Sequence, residues 1–175
     1  MSHAPDSNQL PTLPSHGSLR LLFVCMGNIC RSPAAECMMR HLAIKAGQGE
    51  SILCDSAGTI GYHSGAAPDP RMRAAGRQRG LAIEGSARQI SRDDFDRFDL
   101  ILVMDKENLR NVTKLAQDHQ TPVRLLCDFT THHDDIEVPD PYYGGDAGFE
   151  HVLDLVTDAC AGLLAELTGT SNRTE

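Results

Sequence analysis

The chain has 175 residues, a formal net charge of -8 at pH 7 and a pI of about 5.4. This length is ordinary for one domain with a buried core. The acidic balance disfavours a general binder of nucleic acid or of anionic membranes, because such proteins need a basic surface. No apolar run approaches the roughly 20 residues that cross a bilayer, so we expect no membrane association.

The ends of the chain differ in composition from its middle. The first 17 residues have neither a basic start nor an apolar stretch, so they do not resemble a secretory signal. Their prolines and small polar residues predict a disordered tail over 1–17, followed by one domain over 18–169 and a short tail over 170–175. Without an export signal we expect a cytoplasmic protein, in which the six cysteines are mostly reduced.

The first predicted element is a buried strand over 19–24, because this run is short, continuous and apolar. After a loop, Ser32 and Pro33 predict the start of a helix, with serine as the N-cap and proline at the first helical position. Apolar residues then recur at helical spacing until Gly47, which predicts the end of this helix. A short strand is predicted near 52–58.

Apolar runs and helical patterns continue to alternate through the rest of the chain. A loop is predicted at 59–70, followed by a helix at 69–79 and a short helical piece near 91–97. A strand at 99–105 comes next, and then a helix that carries Leu109, Val112, Leu115 and Ala116 on one side. The last predicted elements are a strand at 123–129, a long loop at 130–146 and a helix with one apolar face from Phe149 to Leu167. Buried strands that alternate with helices predict an α/β fold. We expect a single three-layer domain, with a four-stranded parallel sheet of flavodoxin-like order 2-1-3-4 and helices on both faces.

In a sheet of this kind the functional site lies beyond the carboxyl ends of the strands. The segment 24-VCMGNICRSP-33 leaves the first strand at that edge, and Asp105 leaves the third strand there. The loop at 130–146 follows the fourth strand, and loops of this length are usually functional or mobile. These three segments are therefore predicted to meet.

A metal clip and a nucleotide-binding loop are two alternatives for the first of these segments. Cys25 and Cys30 have no second cysteine pair elsewhere, and a closed zinc site needs about four ligands, so we expect no metal. His132 and His133 are expected to be solvated loop residues. Both the Walker loop and the dinucleotide fingerprint need further glycines near Gly27, and these are missing.

A phosphate-binding loop agrees with every residue of the segment. Five residues separate Cys25 from Arg31, which lets backbone N–H groups converge on one centre at the start of a helix. Arg31 adds a planar fork that matches phosphate oxygens, and the same positive field favours the Cys25 thiolate, placed for in-line attack on phosphorus. Ser32 can hydrogen-bond the Cys25 sulfur. The substrate-binding residues predicted in this segment are Met26, Gly27, Asn28, Ile29, Cys30 and Ser32.

Several segments besides this loop are characteristic of one family. They are DSAG at 55–58, PDPR at 68–71, RQIS at 88–91, FDLILVMD at 98–105 and VPDPYYG at 138–144, in order across residues 19–168. Together with the loop they resemble the low-molecular-weight protein tyrosine phosphatases. The resemblance implies a phosphatase domain over 18–169 that needs no cofactor and hydrolyses phosphotyrosine through a cysteinyl-phosphate intermediate.

The resemblance also implies roles for residues far from the loop. Asp140, in the D-P-Y motif, is implied as the general acid that protonates the leaving tyrosyl oxygen and later acts as a base. Tyr62 and Tyr142 are implied as aromatic walls of a deep slot. Ser56 is implied to support the loop asparagine. Many members carry a histidine where this chain has Arg79, so that support is expected to differ in detail, and we assign Arg79 no catalytic role.

Two other functions compete with the phosphatase. A thiol-coupled arsenate reductase shares this fold and loop, but its additional cysteines commonly lie near the helix at 69–90, and this chain has no cysteine between Cys54 and Cys127. A non-catalytic phosphotyrosine-binding protein would need neither the nucleophile nor the acid. We therefore favour hydrolysis.

The resemblance also bears on regulation and partners. Cys30 is a candidate redox partner of Cys25, since a disulfide between them would protect the nucleophile from over-oxidation; a packed thiol is the alternative. The expected partners are phosphotyrosine proteins, with a tyrosine kinase as one candidate, and neither nucleic acid nor membrane. We expect a monomer.

Overall fold

The structure is a computed structural model that describes residues 8–170 of the protein. Of the predicted tails, residues 1–7 and 171–175 lie outside the described residues. Within the described part no helix is long and apolar enough to cross a membrane.

Four parallel strands form one sheet, and their order confirms the predicted 2-1-3-4 arrangement. The strands are β1 (Leu19–Cys25), β2 (Ile52–Gly58), β3 (Leu100–Val103) and β4 (Val123–Leu125). The central strands β1 and β3 are buried along nearly their whole length, as expected for strands that are covered on both faces.

The helices alternate with the strands, as predicted. They are α1 (Arg31–Lys45), α2 (Pro70–Gln78), α3 (Asp94–Arg97), α4 (Lys106–Ala116) and α5 (Asp146–Thr168), with a 3₁₀ helix at Leu126–Phe129. Gly47, just past the end of α1, has a φ of 73°, which agrees with its predicted role at the end of this helix.

The sheet has a separate hydrophobic core on each face. Side chains of β1 alternate between the two: Leu21 and Phe23 pack in the core that contains α1 and α5, whereas Leu22 and Val24 pack in the core that contains α4. This alternation follows from the two-residue period of a strand. It produces the three layers that the sequence predicts.

Two predicted element boundaries are wrong. Helix α1 begins at Arg31 with Cys30 at its N-cap and no side-chain cap, so Ser32 lies inside the helix and does not cap it. The fourth strand ends at Leu125 and does not continue to Phe129. Its last pairing partner is Val103, where β3 also ends, so the chain beyond Leu125 has no neighbouring strand and turns into the 3₁₀ helix.

Part of the predicted disordered tail contacts the domain. Leu10 and Leu13 are partly buried and pack against the core that contains α1 and α5. The Arg124 guanidinium donates a hydrogen bond of 3.1 Å to the backbone carbonyl of Asn8. Two leucines in a proline-rich segment are therefore enough to place residues 8–13 on the domain.

A glycine lets α5 approach the 3₁₀ helix closely. A Cβ at Gly162 would overlap the backbone carbonyl oxygen of Phe129, which cannot move away without disturbing its own helix. This contact fixes the start of the long loop that follows Phe129. The loop then returns to the carboxyl edge of the sheet, where the Val138 N–H donates to the Met104 carbonyl at 2.8 Å.

Candidate functional site

The loop between β1 and α1 curls around the sulfur of Cys25. Asn28 adopts a φ of 59°, the left-handed conformation that such a curl requires. Its backbone N–H points at the Cys25 sulfur at 3.3 Å, and the Ser32 hydroxyl lies 3.0 Å from the same sulfur. Cys25 itself is 2% exposed. The Asn28 N–H therefore donates to a nearly buried sulfur, and the Ser32 hydroxyl lies within hydrogen-bond distance of the same atom.

The side chain of Asn28 stabilises this loop through three hydrogen bonds. Its Nδ2 donates to the Ser32 hydroxyl at 2.8 Å and to the Ser56 hydroxyl at 3.0 Å. Its Oδ1 accepts the backbone N–H of Arg88 at 3.0 Å. Both amide protons and the carbonyl are thus paired, which stabilises the left-handed backbone at a buried position. Ser56 contacts the loop asparagine, as the resemblance implied.

Ser56 is held by a carboxylate that the sequence analysis missed. The Ser56 hydroxyl donates to Glu36 Oε1 at 2.6 Å, and Glu36 Oε2 pairs with Arg40 at 2.6 Å. Glu36 is 8% exposed, so this partner offsets a costly buried charge. The spacing of Glu36 and Arg40 predicts a pair on one helix face, but nothing local indicates that this face meets Ser56.

Arg79 takes no part in this network. Its guanidinium pairs with Glu150 at 2.6 Å and with Asp154 at 2.9 Å, both on α5. It therefore links α2 to α5. The Asn28 side chain is supported by Ser32, by Ser56 with Glu36 behind it, and by the backbone N–H of Arg88.

Arg31 is buried and its guanidinium has three acceptors. One nitrogen pairs with Asp105 at 2.7 Å and donates to the Val138 carbonyl at 3.1 Å, and the other lies 3.7 Å from Asp140. Burial acts to lower the pKa of Arg31, but the Cys25 thiolate and the Asp105 carboxylate together raise it above its ordinary value. Arg31 is therefore a fixed cation beside the sulfur.

Asp105 orients Arg31 and also caps a helix. Its Oδ1 accepts the backbone N–H of Asn108 at 2.7 Å, which is the N-cap contact of α4. Its other oxygen faces Arg31. The sequence places Asp105 at the correct edge of the sheet, but the pairing with Arg31 depends on how β1 and β3 lie side by side.

Asp140 reaches the site from the long loop. Its Oδ1 accepts the backbone N–H of Tyr142 at 3.0 Å, so the carboxylate is held in a turn before the aromatic residue. The side chain is 43% exposed, and its other oxygen is the one that approaches Arg31. The loop thus brings the Asp140 carboxylate to the pocket that Cys25 and Arg31 also line.

A pocket of about 340 Å³ opens above this sulfur. Its floor and walls include Cys25, Arg31, Asp140, the predicted loop residues Met26, Gly27, Ile29 and Cys30, the predicted walls Tyr62 and Tyr142, and also Ile60, His63 and Tyr143. The side chains of Asn28 and Ser32 are buried and do not line it. These two predicted binding residues can meet a ligand only through their backbone.

The match to known proteins covers this whole arrangement. Residues 20–173 match the family described as "Low molecular weight phosphotyrosine protein phosphatase". The chain belongs to this family. It is therefore an enzyme of the low molecular weight protein-tyrosine-phosphatase class.

Relatives and solved structures agree with this family. A family member from Synechocystis sp. is 54% identical over 85% of this chain and 96% of its own. The low molecular weight protein-tyrosine-phosphatase of Streptomyces coelicolor is 43% identical over 83% of this chain and 92% of its own. A crystal structure of a protein tyrosine phosphatase from Entamoeba histolytica superimposes with a TM-score of 0.84 at 42% identity, covering 87% of this chain and 99% of that one.

Cys30 lines the phosphatase pocket but differs chemically from Cys25. Burial, and then the nearby Asp69 carboxylate, raise the pKa of Cys30 to about 12. Cys30 is therefore mostly a neutral thiol at physiological pH. Among residues 8–170 no three His, Cys, Asp or Glu side chains cluster as metal ligands would.

Both loop histidines are predicted to be solvated, and for His133 this prediction is wrong. His132 is exposed, but the His133 ring lies 2.8 Å from Asp158 of α5. The buried Asp158 carboxylate also accepts the backbone N–H groups of Thr131 and His132 and the Thr131 hydroxyl. Asp158 therefore anchors the first part of the phosphatase's long loop to α5.

Proposed function

We propose that this phosphatase hydrolyses phosphotyrosine in two steps, with Cys25 as the nucleophile and Asp140 as the general acid and base. The observation that supports this best is the convergence at one sulfur. The Asn28 N–H and the Ser32 hydroxyl point at it, and Arg31 and Asp140 line the same pocket.

In the first step the Cys25 thiolate attacks phosphorus. An S–P bond forms while the P–O bond to the tyrosyl ring breaks, and Asp140 delivers its proton to the departing oxygen. Arg31 and the loop amides stabilise negative charge on the equatorial phosphate oxygens. The aromatic rings of Tyr62 and Tyr142 accommodate the phenyl group of the substrate.

In the second step water attacks the thiophosphate. Asp140, now a carboxylate, accepts a proton from this water, the S–P bond breaks, and inorganic phosphate leaves. Ser32 donates its hydroxyl hydrogen bond to the sulfur as thiolate character returns, which makes Cys25 a better leaving group. The enzyme returns to its starting state without any metal or redox cofactor.

The decisive test is turnover of phenyl phosphate and of phosphotyrosine peptides by the Cys25→Ser variant in the presence of EDTA. We expect wild type to be active and Cys25→Ser to lose at least about 1,000-fold in kcat, because a serine hydroxyl is not ionised here. Cys54→Ser is the matched control and should retain activity. Retained turnover in Cys25→Ser would contradict the proposal.

The same preparations separate the competing functions. An arsenate reductase would reduce arsenate with thiol donors, and we expect no reduction, because helix α2 carries no cysteine for electron transfer. A non-catalytic phosphotyrosine-binding protein would bind these peptides without releasing phosphate. We propose phosphotyrosine proteins as substrates, with a tyrosine kinase as one candidate, to be captured from lysate by Cys25→Ser.

We also propose that Cys30 protects the nucleophile. Peroxide would oxidise the Cys25 thiolate to a sulfenic acid, and the Cys30 thiol would then attack this sulfur, forming a disulfide and releasing water. Dithiothreitol should therefore restore peroxide-treated wild type, whereas Cys30→Ser should recover less activity and Cys127→Ser should behave as wild type. Equal recovery of wild type and Cys30→Ser would show that Cys30 is only a packed thiol.

A further inference from the structure

An arc of four rings surrounds one side of the pocket mouth. Tyr62 and His63 pack edge to face with their centroids 4.9 Å apart, and His63 lies 6.3 Å from Tyr142. Tyr142 in turn meets Tyr143 edge to face at 5.0 Å. Tyr62 is 84% and Tyr143 93% exposed, so these two rings reach well beyond a slot that encloses one phenyl group.

Two aliphatic side chains also belong to the rim. Met26 is 45% and Ile60 is 38% exposed, and both line the same pocket. Across residues 8–170, five of the eight large apolar side chains that are exposed line this pocket. Such a concentration of exposed apolar area marks a binding surface and not random exposure.

The rim offers little to a charged ligand. Of the residues in the described part that line the pocket, Arg31 and Asp140 are the charged ones, and Arg31 is buried beside the sulfur. Arg71 lies against the Tyr142 ring at 5.5 Å, but Asp69 already binds its guanidinium at 2.9 Å and 3.1 Å. Arg71 therefore packs against the Tyr142 ring while its charge is paired with Asp69.

We propose that this rim is a subsite for an apolar side chain next to the phosphotyrosine of a polypeptide substrate. The inference rests on the proposed function, because it takes the phosphate to lie at Cys25. A tyrosine whose phosphate lies there must pass its backbone over the mouth, so its neighbours in sequence meet Tyr143, Ile60 and the rings beside them. Phosphotyrosine segments with leucine or phenylalanine neighbours are then preferred over acidic or basic ones.

Matched peptides test this preference. Each carries one phosphotyrosine, and the residues on either side of it are both Leu, both Ser, both Asp or both Lys. We expect kcat/KM for the Leu peptide to exceed that for the Ser peptide by about 5- to 10-fold, as partial burial of an aliphatic side chain would produce. The Asp and Lys peptides should be no better than the Ser peptide. Equal or higher values for the Asp or Lys peptide would overturn the inference.

Rim variants locate the preference. In Tyr143→Ser and in Ile60→Ser, the ratio of kcat/KM for the Leu peptide to that for the Ser peptide should fall towards 1. The matched control is Ile44→Ser. Ile44 is also an exposed isoleucine, at 62%, but it lies on α1 and does not line the pocket, so its ratio should stay that of wild type. An unchanged ratio in both rim variants would overturn the inference.

Phenyl phosphate separates this inference from the proposed function. If the enzyme hydrolyses phenyl phosphate but not preferentially the Leu peptide, only the rim inference is wrong. If it hydrolyses neither phenyl phosphate nor any peptide, the proposed function itself is wrong. A stable dimer in sedimentation that Tyr143→Ser dissociates would show a second copy on the rim, and this would overturn the assignment to substrate.

Discussion

Cys25 and Arg31 depend on side chains that lie outside their own loop. Asp105, at the end of β3, fixes the Arg31 guanidinium at 2.7 Å. Glu36, inside α1, holds Ser56 at 2.6 Å, and Ser56 in turn holds Asn28 at 3.0 Å. Because both carboxylates are largely buried and paired, they hold the loop around the Cys25 sulfur and the Arg31 guanidinium in one geometry.

Asp140 is a further single residue whose proposed role can be tested, because a general acid matters most when the leaving group is poor. Asp140→Asn should lower kcat/KM by about 10²–10⁴-fold for phenyl phosphate, whose leaving phenolate needs a proton. For 4-nitrophenyl phosphate the loss should be much smaller, because this leaving group departs as a stable anion. Steady-state kinetics with both esters measures the difference.

The parameter kcat/KM is the informative one, since it reports only the step up to formation of the thiophosphate. The matched control is Asp134→Asn, a change of an exposed carboxylate in the same loop. An equal loss of kcat/KM with the two esters would show that Asp140 is not the general acid.

At the scale of elements, the long loop is held at its start and near its middle. The Val138 N–H donates to the carbonyl of Met104, just past the end of β3, and Asp158 of α5 anchors Thr131, His132 and His133. Burial opposes ionisation of Asp158, but the donors from Thr131, His133 and His132 lower its pKa to about 2. The hydrogen bond to Asp158 raises the pKa of His133 above its ordinary value of 6.5. The anchor is therefore an ion pair at moderately acidic pH.

Replacement of Asp158 should destabilise the protein in a pH-dependent way. Asp158→Asn should lower the free energy of unfolding by about 1–3 kcal/mol, because buried donors lose their carboxylate. The lowered pKa of Asp158 contributes stability that is present above its ordinary value of 3.8 and lost as the pH falls through about 2. The raised pKa of His133 contributes stability that is present below 6.5 and lost as the pH rises through its folded-state value.

Urea unfolding at several pH values measures this prediction. The difference between wild type and Asp158→Asn should be largest between pH 3.8 and pH 6.5 and smaller on either side. In a His133→Gln background this stability difference should no longer decline above pH 6.5. In a background of His132→Gln, a change of the exposed neighbour, the decline should remain. A difference that stays the same below pH 3.8 and above pH 6.5 as it is between these values would contradict the ion pair.

At the scale of the whole molecule, residues 8–13 contact the rest of the domain. Leu10 and Leu13 pack against the core that α1 and α5 share. Leu10→Ser and Leu13→Ser should each lower the free energy of unfolding by about 1–2 kcal/mol, since each loses partial burial of one aliphatic side chain. The exposed neighbour Gln9, changed to Ser, is the control in urea unfolding. Stabilities equal to that control would show that the segment contributes nothing.

The sequence alone predicts the parts of this protein that depend on neighbouring residues in the chain. The buried strands and helices follow from local periodicity, and the strand order agrees with the prediction. The prediction of a phosphate-binding loop is also local, because it rests on Cys25, Arg31 and the five residues between them. Asp140 has no such local signal, and only resemblance to a family implies its role.

The tertiary structure alone decides the contacts between distant segments. The pairing of Asp105 with Arg31 and of Glu36 with Ser56, the end of β4 at Leu125 and the anchoring of His133 all require knowing which faces meet. Burial makes each of these decisive, because a charge or backbone group that is removed from water must find a partner, and that partner is set by packing and not by position in the sequence.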